Sequence, residues 1–301
     1  MLSGERVLIT GVTGKAVLPI AKALAKDNEV WGLSRFANPA DRAAVEAAGI
    51  RPVAVDLANP DFSVLPTNFT RLLHFAWMRA AIEELDLALR VNVEAAGLLL
   101  MHCRSAKSAF VASGMGIYSP HPDAWHLFSE TDPIGRGATA YAATSPACKL
   151  GLEAVARFSA RAFNLPITIA RLNTVMGLPG TYFHGMITAA REGRPFVVPH
   201  DPNPHTPIQT LDMQEQIHAL VEAAAVPALV VNWCGDETVT TQEAAAQLER
   251  DTGLKADLKL VQFPGAPLAT GADNRRRLSI TGPCKTRFVD AFARLYAEDA
   301  K

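Results

Sequence analysis

Seven short apolar runs recur along the chain, at Arg6–Thr10, Glu29–Leu33, Pro52–Val55, Arg71–Ala76, Ala109–Ala112, Pro166–Arg171 and Ala228–Cys234, each bounded by charge, proline or glycine. They are too short for core helices and rich in β-branched residues, which marks them as strands. Their residues are apolar without alternation, the pattern of strands covered on both faces in a parallel sheet. Helical stretches separate them: Leu18, Ala21 and Leu24 share one face, Asp41–Ala48 is alanine-rich and stops at Gly49, and Ile82–Ser105 keeps an apolar stripe. Such alternation builds βαβ units, whose right-handed crossovers place helices on both faces of one doubly wound sheet.

After Arg171 the texture changes. Proline and glycine cluster between Gly177 and Pro207, a helical pattern covers Met213–Ala225, and Thr240 with Glu243 forms a capping box that opens another helix. The chain is expected to divide into a sheet domain over residues 1–172, completed by the strand near 228–234, and a smaller interleaved C-terminal substrate lobe over 173–301.

The first strand runs into a glycine turn and then a helix, as Val7-Leu8-Ile9-Thr10-Gly11-Val12-Thr13-Gly14-Lys15-Ala16-Val17. In that context Gly11 permits a tight turn, Gly14 lets the backbone approach a pyrophosphate, and the helix amides hold its charge. The expected fold is therefore an α/β Rossmann-type doubly wound sheet. Its cofactor turn would comprise Thr10, Gly11, Thr13, Gly14, Lys15 and Ala16. The third glycine of the usual pattern is Val17, which implies a slightly displaced helix. The second strand ends in Ser34-Arg35, where an NAD site offers a carboxylate to the ribose. Arg35, with Lys15 on the same side, suits a 2′-phosphate, so NADP is the preferred cofactor and NAD the alternative.

Charge and composition narrow the partners. Among 301 residues, 29 basic groups face 30 acidic ones, which leaves no global field for nucleic acid. No apolar run approaches the roughly 20 residues of a membrane span, and the N-terminus enters a strand at once without a signal-peptide pattern, so a cytoplasmic protein is expected. Cys103, Cys148, Cys234 and Cys284 lie far apart, and His74, His121, His126, His184, His200 and His205 show no metal-ligand spacing, so neither disulfides nor a metal is expected. A small-molecule substrate remains.

Further along stand Asp56-Leu57, Leu73-His74-Phe75-Ala76, Asn92-Val93, Val111-Ala112-Ser113 through Ile117-Tyr118, Lys149-Leu150 with Glu153, Arg171-Leu172-Asn173 through Gly177, and Pro207-Ile208-Gln209-Thr210-Leu211-Asp212. With the glycine turn, and in this order, they resemble the extended short-chain dehydrogenase/reductase family, the NAD-dependent epimerase/dehydratase group, over nearly the whole chain. The resemblance implies that Asp56 and Leu57 meet the adenine, that Phe75, Ala76 and Asn92 lie beside the dinucleotide, and that Asn173 leads toward substrate. It makes Lys149 the lysine that serves both cofactor and catalysis. It also implies a homodimer through helices near Ile82–Ser105 and Ser145–Ala162.

In that family a tyrosine four residues before the lysine is the general acid/base, beside a serine that orients the substrate oxygen. Here the tyrosine position is Ser145 and the serine position is Gly114, with Ser113 one residue earlier. A serine hydroxyl is a far weaker acid than a phenol and too short to reach the same point. Three explanations stand open. Tyr141 or Tyr118 supplies the phenol, helped by Lys149 and Ser113; a water or His126 delivers the proton; or the redox chemistry is lost and the chain only binds dinucleotide. The reading favoured is an NAD(P)-dependent oxidoreductase acting on a carbonyl or hydroxyl group, with a nucleotide-sugar epimerase/dehydratase as an alternative. Arg275-Arg276-Arg277 would then grip the diphosphate, whereas Tyr182, Phe183 and Met186 point to a more apolar pocket.

Overall fold

The computed structural model of the chain describes residues 2–138 and 143–298, in two units that interleave along the sequence. One takes Met1–Gly114, Ala142–Arg171 and Gln214–Val231, and the other takes Met115–Tyr141, Leu172–Met213 and Asn232–Lys301. The interleaving is finer than a single boundary at 172: residues 115–141 leave the sheet unit and residues 214–231 return to it. Hydrogen bonds explain the return, because Ser108 Oγ donates to the carbonyl of Val221 at 3.2 Å and Thr168 Oγ1 to that of Leu220 at 2.7 Å.

The central sheet contains β1 (Arg6–Thr10), β2 (Glu29–Ser34), β3 (Arg51–Ala54), β4 (Arg71–His74), β5 (Ser108–Gly114), β6 (Ile167–Leu172) and the strand Leu229–Trp233. Its order is Leu229–Trp233, β6, β5, β4, β1, β2, β3, with β1 parallel to β2 and β4, β2 parallel to β3, and β4 parallel to β5. The doubly wound α/β fold expected from the alternation is the fold found. The order reverses between β1 and β4, and in such sheets the crevice beyond the strand C-termini at that point is where ligands bind.

Helices α1 (Val17–Leu24), α2 (Pro39–Ala47), α3 (Leu85–Leu89), α4 (Ala95–His102) and α5 (Ser145–Ala162) belong to this unit. The Asn38 side chain accepts from the Ala40 amide at the start of α2, whose first residue is proline. Leu8, Leu72, Ala95, Leu99, Val111, Leu152, Ala156, Ile167 and Ile169 form one buried core between sheet and helices. Each leucine or isoleucine buried there contributes about 1.5–3 kcal/mol of transfer free energy. Between α3 and α4 the chain winds as a π-helix over Arg90–Glu94, and there Asn92 is fully buried. Its Oδ1 accepts from the Met78 amide at 2.7 Å and its Nδ2 donates to the Met78 carbonyl at 2.9 Å, pinning the segment after β4.

The second unit has its own core of Met176, Phe183, Met186, Ile187, Leu248, Phe288, Phe292 and Leu295. Phe183 and Met186 are wholly buried in it, and the Tyr182 hydroxyl hydrogen-bonds Asn203 Oδ1 at 3.0 Å, so these residues pack the core rather than line an apolar pocket. The Thr240–Glu243 capping box forms, and its helix ends at Gly253 in the left-handed region. Among the described residues no helix is long and apolar enough to cross a membrane, and burial pushes the Cys103 and Cys234 thiols up to about 12.

Candidate functional site

The turn after β1 is fixed by contacts only glycine allows. Gly11 has φ +69°, and a Cβ there would come within 2.9 Å of the Ala76 backbone. Thr10 ties the same two strand ends together: its Oγ1 accepts from the amides of Phe75 and Ala76, each at 3.1 Å, and bonds His74 Nδ1 at 2.9 Å. The glycine therefore lets the turn pack directly against the end of β4, the placement a pyrophosphate-binding turn takes in a doubly wound sheet. Helix α1 starts at Val17 behind Ala16, with no side-chain cap on its amides. Val17 is buried, and a Cβ on Gly14 would lie 3.3 Å from its Cγ2, so the valine side chain packs directly against the turn.

In the same unit Ser34, Arg35, Asp56 and Phe75 lie at or just beyond the C-terminal ends of β2, β3 and β4. Thr13 Oγ1 bonds Ser34 Oγ at 3.1 Å, which links the turn to the end of β2. Arg35 and Lys15 are exposed, and among the described residues Arg35 makes no ion pair. Asp56 is exposed at the end of its strand and accepts from the Ala58 amide at 3.0 Å, whereas Leu57 is packed into the core. Phe75 is tilted against Phe110 at 5.3 Å. The side-chain amide of Asn92 is spent on Met78, as described above, so it positions the post-β4 segment. In the second unit Asn173 is similarly spent, donating to Thr206 Oγ1 at 2.8 Å and the Thr270 carbonyl at 2.7 Å while accepting from the Thr174 amide at 2.6 Å.

The four acid/base candidates separate clearly. Ser113 is 3% exposed, and its hydroxyl donates to Glu153 Oε1 at 2.8 Å. Glu153 in turn receives Arg171 through two bonds of 2.9 Å, so Ser113 belongs to a buried charge network and holds the end of β5 to α5. Tyr118 is buried in the second unit, stacked on Phe128 at 4.9 Å, and its hydroxyl donates to Asn232 Oδ1 at 2.6 Å. Tyr141 lies outside the described residues. Lys149 stands on the second turn of α5, and its Nζ donates to the Ala112 carbonyl at 2.9 Å.

Trp77 is the residue that sequence reading missed: its ring centre lies 3.5 Å from Lys149 Nζ. The only available signal was its place directly after Phe75-Ala76. Burial pulls the Lys149 ammonium down to about 7, with Arg79 acting the same way and Glu153 and Cys148 opposing. Burial, aided by Lys149, also holds His74 neutral, down to about 4, and among the described residues its Nε2 has no hydrogen-bond partner.

In the second unit the other proposed groups are committed locally. His126 Nε2 bonds Asp132 at 2.9 Å, and its ring stacks on His121 at 3.9 Å. Arg275 pairs with Asp273, Arg276 approaches Glu130 at 3.7 Å, and Arg277 is wholly buried against Asp236. The three arginines therefore do not form one anion grip, because each faces a different carboxylate. Among the described residues no group of three or more His, Cys, Asp or Glu side chains could hold a metal.

The profile of the NAD dependent epimerase/dehydratase family matches residues 7–231. No curated protein sequence matches the chain significantly. Among solved structures, it is similar to a variant of UDP-glucuronic acid 4-epimerase from Bacillus cereus, in complex with UDP-4-deoxy-4-fluoro-glucuronic acid and NAD, at TM-score 0.83 and 20% identity over 98% of this chain and 100% of that one. UDP-N-acetylglucosamine 4-epimerase from Methanobrevibacter ruminantium gives 0.81 and 15%, over 99% and 100%. The dTDP-glucose 4,6-dehydratase of Streptomyces venezuelae, with NAD bound, gives 0.79 and 21%, over 98% and 97%.

Proposed function

The chain belongs to the NAD dependent epimerase/dehydratase family, a family of enzymes, and on that premise we propose that it moves a hydride between a nicotinamide dinucleotide and a sugar hydroxyl or carbonyl on a nucleotide-linked substrate. The observation that carries this reading is the pairing, in one unit, of the Gly11 turn at the sheet's switch point with a part-exposed lysine of α5 bonded to the Ala112 carbonyl of β5. The substrate class follows the structural neighbours, whose complexes hold UDP-linked sugars. It replaces the generic carbonyl oxidoreductase favoured by sequence alone.

Thr10, Gly11, Thr13 and Gly14 would hold the pyrophosphate, and Lys149 would reach the nicotinamide-side ribose. The bound dinucleotide supplies a hydride acceptor and donor. Ser34 and Arg35 end β2 without a carboxylate, which supports NADP over the NAD seen in the neighbours. A second reading, a substrate without a diphosphate, draws on the separate pairing of Arg275, Arg276 and Arg277. Leu98 and Met101 on α4 and Leu150 and Phe158 on α5 are exposed and support a homodimer through these helices. Phe158→Glu should shift the sedimenting species to monomer; a monomeric wild-type chain would refute the dimer.

The test is a panel of UDP- and dTDP-sugars with NAD or NADP, followed by proton NMR of the sugar. Stereochemical change without net cofactor consumption marks an epimerase. Loss of water marks a dehydratase. Turnover confined to carbonyl compounds lacking a diphosphate would favour the second reading.

A further inference from the structure

Trp77 stands between two sets of anchors in the sheet unit. Before it, the amides of Phe75 and Ala76 donate to Thr10 Oγ1, each at 3.1 Å, and the Ala76 backbone abuts Gly11, where a Cβ would come within 2.9 Å of it. After it, both backbone groups of Met78 are held by Asn92, and the Ala80 carbonyl accepts from Thr144 Oγ1 at 3.1 Å, just ahead of α5. The indole packs against Ala80, Ala88 and Cys148. Its position is therefore set by the glycine turn on one side and by α5 on the other.

Lys149 meets this ring. Its Nζ lies 3.5 Å from the ring centre, and it donates to the Ala112 carbonyl of β5 at 2.9 Å. Because β4 and β5 are hydrogen-bonded neighbours, the ring that follows one and the carbonyl of the other hold the nitrogen together. We propose that Trp77 is a positioning residue, whose ring face keeps the Lys149 ammonium in register with the glycine turn for the dinucleotide, a role that rests on the hydride-transfer function above.

The face of an indole carries the negative part of its quadrupole and attracts a cation, more strongly where water is partly excluded. Trp77 and Lys149 are both part-buried, and Glu153, one turn along the helix, adds an attractive charge. Ring, carbonyl and carboxylate all act on the ammonium, and together they oppose the burial that disfavours it. A lysine side chain has several rotatable bonds, and confining them costs entropy. With Nζ already placed in the folded chain, that loss does not fall on binding. The Ala112 bond uses one of the three ammonium donors and leaves others for a ligand oxygen. A leucine at position 77 would keep apolar packing but exert no pull on the charge.

Two measurements test the role, one without ligand and one with it. In protein labelled with [13C]lysine and free of dinucleotide, the Lys149 Cε–Hε NMR signal is the one lost in Lys149→Met. It should lie upfield of the other lysines, under the ring current of Trp77, and rejoin them in Trp77→Leu; a wild-type signal among the other lysines would overturn the proposal. Calorimetry with NAD and NADP then reads affinity. Trp77→Leu should weaken binding by roughly 3–30-fold, the span of a part-shielded cation–π contact, and Trp77→Phe, which keeps a ring face, should recover most of it. In a Lys149→Met background the same Trp77→Leu change should alter affinity by less than about 2-fold, since its effect passes through the ammonium. An equal loss in both backgrounds would mean that Trp77 only shapes the fold, and unchanged or tighter binding in Trp77→Leu would also overturn the proposal. Failure of the wild type to bind any dinucleotide would sink the function itself, whereas wild-type binding with additive losses would sink this inference alone.

Discussion

Arg171→Met should be the most destabilising single change within the sheet unit's polar framework. Arg171 and Glu153 are each 1% exposed, and the guanidinium meets the carboxylate through two bonds of 2.9 Å. Removing the arginine leaves a buried carboxylate, which costs about 3–5 kcal/mol. Arg157, at 3.6 Å from Glu153 and 48% exposed, offsets under about 1 kcal/mol because water screens it. The net loss is therefore about 3 kcal/mol, and a fall of roughly 6–12 °C in Tm follows from the usual dependence for chains of this order of size. Urea unfolding followed by tryptophan fluorescence, alongside a thermal scan, measures it. The double variant Glu153→Leu/Arg171→Met removes both charges and should recover most of the loss, leaving about 1 kcal/mol for the Ser113 hydroxyl deprived of its acceptor. A single variant within 1 kcal/mol of wild type, or a double variant no better than the single, would refute the assignment of Glu153–Arg171 as a charge-compensated pair.

Two other outcomes follow from the same structure. Arg35→Ala should reduce NADP affinity and leave NAD affinity nearly unchanged; an unaltered preference would remove the 2′-phosphate assignment. Burial holds both His74 and His205 down to about 4 against an unfolded value near 6.5, so the unfolded chain binds more protons between those limits. Their contribution is present above pH 6.5 and lost as pH falls to 4, at up to ~1.4 kcal/mol per pH unit for each histidine. His205→Gln should flatten that acid limb in urea titrations, and an identical slope would show that His205 titrates normally.

How much of this was legible in the sequence depends on the range of the interaction. The seven runs fell within a residue or two of the strands, because a sheet covered on both faces leaves its mark in every strand. The glycine turn after β1 was legible because Gly11 answers a local demand, a left-handed φ beside the Ala76 backbone. Asn92 and Asn173 were recognised by position, but the sequence could not show that their amides are fully engaged by backbone and threonine groups from other segments. Ser113 looked like a displaced catalytic hydroxyl until Glu153, 40 residues on, was seen to hold it. Arg275, Arg276 and Arg277 read as one basic cluster, yet their partners lie at Asp273, Glu130 and Asp236. Pairings over such separations leave no local signature.

The central claim is that the turn after β1 holds a nicotinamide dinucleotide. Calorimetric titration of the cofactor-stripped protein with NADP(H) and NAD(H), beside Gly11→Ala, tests it most directly. Saturable one-to-one binding by the wild type is expected, weakened at least roughly 10-fold when a methyl group at position 11 presses on the Ala76 backbone and displaces the turn, where the strained φ alone costs about 1–3 kcal/mol. Absence of binding to every form, or equal affinity in Gly11→Ala, would contradict the account.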